Sequence, residues 1–469
     1  MRKSQELSVC LSTELSGVDL CDSRNNQRLW QIVEQIAARP SATFPEAMGD
    51  EAGLEGFYRF INNERVTHER ILEPHLEQSR ARCEEAGRVL VAHDTTEARY
   101  GGEVRREGLG RMQAAGQGYF AHTALAISAD GRRRPLGVVG LAVHTRSLEK
   151  QTPETKEKRK RHAQPDTEFQ RWIALVRLVE AQSQGRFQAV HLMDREADAS
   201  ALLSELVQLK ASFIVRCYRN RPLYSEDSST YTVDDALSQA LPVVSREVAI
   251  SRRTAKRPPR SLKKHPARDA RLARLSISAC SVIVKPSAFA GTKELLRLNC
   301  VHVVEVDCPE GEEPVEWRLW TTLPVETPEQ ILDVVDSYRA RWLIEELFKS
   351  LKSGCGLEKR QSESLPALLN VLAILIPVAW RMLLLRHVAR FEPDAPASAV
   401  LTPTQLAILA SVRAHRWPPS PSARDALLAV AALGGHIRNN GDPGWMVLGR
   451  GMETLLTLEL GWTARDPQI

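Results

Sequence analysis

The stretch Tyr338-Arg-Ala-Arg-Trp-Leu-Ile-Glu-Glu-Leu-Phe-Lys-Ser-Leu-Lys352 decides how the rest of the chain is read. It reads as a helix, started by Thr327 as N-cap with Pro328 in the first turn and ended by Gly354-Cys-Gly356. At about 100° per residue, positions 338, 341, 345 and 352 fall within a sector of roughly 60°. Tyr338, Arg341, Glu345 and Lys352 therefore share a face, while Glu346 points elsewhere. A lone carboxylate flanked by Arg, Lys and a Tyr hydroxyl suits a metal ion held against a phosphodiester, with the cations gripping neighbouring phosphates. The plain alternative is a solvated, salt-bridged helix.

Upstream, two further acids stand at strand ends. Residues 88–94 form a short apolar run ending in Asp94-Thr-Thr, a strand that delivers an acid at its C-terminal tip. Residues 187–194 repeat the pattern and end in Asp194-Arg-Glu-Ala-Asp198. Between them lie two strand-like runs, 120–128 and 136–145, joined by an Ala-Asp-Gly-Arg turn, then a polar loop at 151–166 and an amphipathic helix at 167–184. A strand at 212–217 follows, so the order is that of a mixed α/β sheet covered by helices. From 219 to 326 the runs 247–251, 275–284, 296–306 and 315–322 alternate and are broken by Pro, Gly and charge, which reads as an antiparallel β insertion.

Both ends are helical in pattern. Leu29, Ile32, Val33 and Ile36 recur at helical steps before Pro40, and Arg24 and Arg28 stand one turn apart at the helix start. The aromatics of 51–62 are expected to pack a small helical core. A long buried helix runs from beyond Ser362 to His387, and the helices that close the chain carry Leu and Ala faces suited to a partner. The expected division is 1–82, 83–360 and 361–469.

A chain of 469 residues is too long for one ordinary core. Its 63 basic and 58 acidic residues nearly balance, so a polyanion site must come from local clustering. Residues 252–274 hold ten Lys/Arg against one Asp, and 156–161 add a second knot; a nucleic-acid contact and a solvated loop both fit 252–274. The eight cysteines form no C-x-x-C pair, which argues for reduced thiols and against a zinc knuckle. The N-terminus lacks an apolar h-region, and 365–380, with Pro366, Asn370 and Pro377, is short of the roughly 20 residues a span needs. A cytoplasmic protein without a membrane partner is expected.

Asp94, Asp194 and Glu345 thus sit on rigid mounts. Few, carboxylate-rich oxygen ligands select Mg²⁺ or Mn²⁺, and two such ions can serve an in-line phosphoryl displacement. Acids at strand ends occur in any large α/β protein, so spacing alone leaves the matter open.

Taken together, Asp94-Thr-Thr, Asp194-Arg-Glu-Ala-Asp and Tyr338-x-x-Arg341-x-x-x-Glu345-x-x-x-x-x-x-Lys352 resemble the DDE transposases of the insertion-sequence-four family, the group that contains the Tn-five transposase. The resemblance spans nearly the whole chain. It implies a ribonuclease-H-like catalytic domain with the insertion at 219–326, an N-terminal domain that binds DNA ends, and a C-terminal domain that joins subunits. By the same resemblance Asp94, Asp194 and Glu345 would be the catalytic metal ligands, holding two Mg²⁺ ions with Mn²⁺ as substitute. Tyr338, Arg341, Lys352 and Arg216 would grip DNA, Trp317 would accept a flipped base, and Arg24 and Arg28 would meet the terminal repeats. Trp320 keeps open a core role for the insertion tryptophan. Where the Tn-five transposase has consecutive arginines, this chain has Arg24-Asn25, so a different end sequence is implied.

The expected activity is cut-and-paste transposition: hydrolytic nicking, hairpin formation, hairpin opening and joining of 3′-ends to target DNA. It would run in a homodimeric complex with two DNA ends, in the cytoplasm at a bacterial nucleoid. The alternatives are a nuclease of the same fold without strand transfer, and a catalytically silent DNA-binding inhibitor of transposition.

Overall fold

Polar caps set where the N-terminal helices begin. In this computed structural model, which describes residues 14–39, 42–102, 104–112, 116–147, 168–225, 229–253, 267–285, 294–413, 417–437 and 441–465, Asp22 accepts the Arg24 amide to start α1 (Ser23–Ala38). After the short α2 (Phe44–Met48), Asp50 caps α3 (Glu51–Ile61) through Gly53 N, and Thr67 caps α4 (His68–Ala86). Phe57 and Phe60 are buried, with Phe57 against Phe44 at 4.4 Å, as the aromatic spacing predicts. The loop at 151–166, the basic knot at 156–161 and residues 254–266 of the cationic stretch lie outside the described residues.

The chain divides into two compact units, Met1–Lys160, Gln184–Gln188 and Trp342–Ile469 in the first, Arg161–Ser183 and Ala189–Arg341 in the second. This differs from the division at 82 and 360. In the first unit β1 (Arg88–Tyr100) pairs antiparallel with β3 (Gln117–Ser128), whose other edge takes the two-residue β2 (Gly110–Arg111) and β4 (Pro135–His144). The helix pair α9 (Trp342–Lys349) and α10 (Leu365–Phe391) belongs here, followed by α11 (Pro403–Val412), α12 (Ala423–Leu433) and α13 (Trp445–Arg465). The apolar surface of α10 is covered by α3, α4, β4 and α12, and α13 packs on α1 and α12. Both helical ends of the chain therefore share one body with β1 to β4. The helix α10 is long and apolar enough to cross a membrane, yet its apolar window is wholly buried inside the protein. Trp380 and Asn370 spend their polar atoms on the Pro135, Ile61 and Val66 carbonyls.

The second unit opens with α5 (Glu168–Ser183). Its sheet runs β5 (Gln188–Met193), β6 (Ser212–Arg216), β12 (Glu316–Thr321), β11 (Leu296–Val306) and β10 (Arg271–Val284), with β9 (Pro242–Ile250) and the small pair β7 (Pro222–Tyr224) and β8 (Thr230–Thr232) beyond. Strands β5 and β6 are parallel and the insertion strands antiparallel, as alternation predicts. Helices α6 (Ser200–Gln208), α7 (Val233–Gln239) and α8 (Pro328–Ala340) complete the unit. Its core gathers Leu202, Leu206, Phe213, Leu298 and Trp320.

Two expectations need correction. Strand β1 does not stop at Asp94: Thr95, Thr96, Ala98 and Tyr100 continue the ladder on β3, so Asp94 sits in mid-strand opposite Thr123. The segment 338–352 is not one regular helix either. Its ladder is interrupted at the single residue Arg341, whose backbone angles (φ −50°, ψ −32°) stay right-handed helical, and its last turn, Ser350–Gly354, is π-helical. The wider π turn takes Lys352 off the 3.6-residue period from which its place beside Tyr338, Arg341 and Glu345 was derived.

Candidate active site and nucleic-acid interface

The second unit brings five of the expected residues together. Asp194 follows the last residue of β5 and accepts the Glu196 amide at 2.9 Å, which fixes its carboxylate at the strand end. Arg216 ends the parallel β6 and lies opposite Leu319 of β12, with its guanidinium donating to the Glu316 carbonyl at 3.2 Å. Trp317, two residues earlier on β12, is half-buried and meets Tyr338 of α8 edge-on at 5.4 Å. Burial pushes the Tyr338 hydroxyl pKa up; Arg341, which hydrogen-bonds to it, and Arg216 pull it down, and Asp194 raises it. Two guanidiniums, a buried phenol, a half-buried indole and one carboxylate thus act on each other. Guanidinium forks match phosphate oxygens, and an exposed indole face can stack a base.

The two tryptophans of β12 part company. Trp320 is fully buried and donates to Asp198 Oδ1 at 3.3 Å, so it is the core tryptophan. The two acids of the Asp194-x-x-x-Asp198 run separate in the same way. Asp198 is buried and accepts from Arg221, from Trp320 and from the Tyr218 and Arg219 amides, which makes it the unit's internal anchor. Sequence reading missed this hub, because its members come from separate segments and only the fold joins them.

In the first unit Asp94 accepts the Thr95 amide at 2.7 Å, and α9, which carries Glu345 in its first turn, packs on β1. Glu346 is tied to Lys349 at 2.7 Å and to the Trp445 indole N–H at 3.2 Å. Burial raises its pKa, and Lys349, Arg386 and the Trp445 hydrogen bond together more than offset this, so the carboxyl lies below its ordinary range. Lys352, in the π turn, stands 3.8 Å from Glu358. Arg24 and Arg28 lie on α1, along a groove that also takes residues from α3. The candidate ligands are all carboxylates, a donor type that fits Mg²⁺ or Mn²⁺. Among the described residues, however, no group of three or more His, Cys, Asp or Glu is arranged to hold a metal ion. Asp94 and Glu345 belong to the first unit and Asp194 to the second.

Comparison with known families agrees with this chemistry. Residues 10–66 match the family model for a transposase DNA-binding domain, and residues 143–378, half of the chain, match that for the transposase DDE domain. The chain belongs to the DDE transposase family, whose core is ribonuclease-H-like, and DNA is its partner. Arg24 and Arg28 fall within the first match; Asp194, Arg216, Trp317, Tyr338, Arg341, Glu345 and Lys352 fall within the second, and Asp94 lies between them. Among solved structures, the chain is similar to a piggyBac transposase synaptic complex with hairpin DNA, seen by cryo-EM. The match has 9% identity and a TM-score of 0.33, over 96% of this chain and 74% of that one.

Proposed function

We propose that this is a cut-and-paste transposase of the insertion-sequence-four type, similar to the Tn-five transposase, acting on its own terminal inverted repeats. The observation that carries the reading is the convergence of Asp194, Arg216, Trp317, Tyr338 and Arg341 in the second unit. Arg216 and Arg341 hold the phosphates beside the cleaved bond, and the Tyr338 hydroxyl, polarised by Arg341, gives one further donor. Lys352 adds a point charge on the same strand. Trp317 offers its free face to the base displaced when the end is opened. Asp94, Asp194 and Glu345 are the carboxylates that would hold two Mg²⁺ ions, or Mn²⁺. Such ions, when bound, activate an attacking oxygen and stabilise the leaving 3′-oxygen.

Nicking frees a 3′-hydroxyl, which attacks the opposite strand to give a hairpin. One phosphodiester forms as another breaks, and the displaced 3′-oxygen leaves with a proton. Water opens the hairpin, and the 3′-ends join target DNA by the same exchange. Two chains pair through segment 361–469 around two ends, in the cytoplasm at the nucleoid.

A second reading is a DNA-binding inhibitor of transposition, favoured by the lack of a three-residue metal-ligating group among the described residues. One assay separates the two: strand nicking on a duplex taken from the boundary of the element, with Mg²⁺ or Mn²⁺. Asp194→Ala and Glu345→Ala are expected to lower nicking by about a thousandfold or more, whereas Glu346→Ala retains it. No nicking by the wild type would favour the inhibitor. Full cleavage by Glu345→Ala with loss in Glu346→Ala would overturn the assignment of the third acid.

A further inference from the structure

Between Lys352 and Glu358 the chain folds back on itself. The π turn ends at Gly354, Gly356 takes a left-handed conformation (φ +60°, ψ +34°) that glycine adopts readily, and the 3-10 turn Leu357–Lys359 follows. Glu358 Oε1 thereby comes to 3.8 Å from Lys352 Nζ, and the same oxygen accepts the Arg99 amide at 3.1 Å. Arg99 lies near the end of β1, opposite Gly118 of β3. The next residue, Tyr100, is buried and its ring stacks on that of Tyr119 at 6.2 Å, so this end of β1 is a firm mount. The backbone after the turn is held by other bonds: Gln361 Nε2 donates to the Glu358 carbonyl at 3.1 Å, and the Glu107 amide to the Glu363 carbonyl at 2.9 Å. Among the described residues no other acid comes within ion-pair distance of Lys352.

We propose that Glu358 is the positioning residue for Lys352. The inference rests on the reading of Lys352 as a phosphate contact. A lysine ammonium rides on a flexible four-carbon stem and keeps no fixed direction until something holds it. A carboxylate tied to β1 by the Arg99 amide holds it beside the strand that carries Asp94, the strand on which α9 packs with Glu345. The cation and two of the candidate metal ligands are thus carried by one unit. At 3.8 Å the pair is looser than the roughly 2.7–2.9 Å of a tight charged hydrogen bond, and the ammonium has N–H groups to spare for a phosphate oxygen. An acid beside a phosphate-gripping lysine weakens attraction to DNA, so its place there calls for a reason, and orientation of the ammonium supplies one.

The test measures binding and single-turnover nicking by the full chain on the boundary duplex with Mg²⁺, across salt. Glu358→Gln keeps an acceptor for the Arg99 amide and loses the charge. It is expected to nick about tenfold more slowly, to bind the duplex at least as tightly as the wild type, and to melt within about 3 °C of it. Lys352→Gln should slow nicking by more than that and make the salt slope shallower by about one ion. Adding Glu358→Gln to Lys352→Gln should change the rate by no more than about twofold, because the carboxylate acts through the lysine. If Glu358→Gln nicks at the wild-type rate, loses binding as much as rate, melts far earlier, or slows the Lys352→Gln variant by its full factor, the inference fails. If Lys352→Gln alone leaves both rate and salt slope unchanged, the phosphate reading of Lys352 fails first. A wild type that does not nick removes the transposase reading and this inference together.

Discussion

The molecule holds two clusters built from the same kinds of side chain and put to opposite uses. In the first unit Glu14, His75 and Arg82 meet beneath Trp380. Glu14 Oε2 lies 2.5 Å from His75 Nδ1, Arg82 donates to Glu14 Oε1 at 2.6 Å, and its guanidinium lies 4.3 Å from the Trp380 ring. The Val138 amide donates to His75 Nε2 at 3.2 Å, so the ring proton is on Nδ1 and goes to Glu14. Glu14 and His75 are both fully buried. In the second unit Asp194, Arg216, Arg341, Tyr338 and Trp317 repeat that cast of acid, arginines and aromatic rings, but with a carboxylate and an indole partly exposed. A closed set of charges holds parts of the chain together. An open set leaves binding capacity for a ligand of opposite charge, which we propose is the phosphodiester.

The sharpest way to break this contrast is to remove one member from each cluster. Arg82→Ala leaves Glu14 buried beside a neutral ring and should cost roughly 3–5 kcal/mol, read from the shift in urea midpoint. Arg216→Ala should cost less than about 1 kcal/mol while weakening DNA binding. Equal destabilisation by both would mean that the second cluster is structural too.

The two tryptophans of β12 sharpen the same point. Trp320→Ala empties a fully buried site and loses the bond to Asp198, so a loss of roughly 3–5 kcal/mol is expected. Trp317→Ala should leave the melting midpoint nearly unchanged and let nicking survive better than hairpin formation. Equal loss of both steps would point instead to a packing role.

A smaller effect concerns pH. Burial raises the Glu14 pKa, but the hydrogen bond from His75 and the charge of Arg82 overcome it, lowering the value from 4.5 to about 2. A depressed carboxyl stabilises the fold above its unfolded pKa, so this contribution is present above about pH 4.5 and is lost as pH falls through 2. The shift corresponds to about 3 kcal/mol. Burial also lowers the His75 pKa below 6.5, so the unfolded chain takes up that proton first and stability begins to fall below pH 6.5. Glu14→Gln should flatten the acid limb of a stability-against-pH curve; an unchanged limb would place the sensitive groups elsewhere.

Much of the architecture was legible in local pattern. The four insertion strands lie where alternation put them, β9 and β10 starting a few residues earlier, β11 matching and β12 one residue shorter at each end, and α10 proved to be the buried helix that its composition suggested. Missed were β7, β8 and α7, which are too short to show a period. The end of β1 was misjudged because an acid followed by two threonines reads as a strand terminus until a partner strand pairs with it. The irregular end of 338–352 left no local sign. Its π turn lies where Gly354 meets Met382 of α10 and where Gly449 of α13 lets the Gly354 backbone come close, contacts made by residues distant in sequence.

The sequence by itself determined the helical ends, the mixed sheet with its antiparallel insertion, and the residue types from which a phosphodiester site can be built, because periodicity, caps and turn residues act locally. Only the tertiary structure decided which of two neighbouring acids or tryptophans faces the site and which anchors the core. Asp194 and Asp198, or Trp317 and Trp320, differ little as residues in a string; burial and partners brought from far along the chain give them different work.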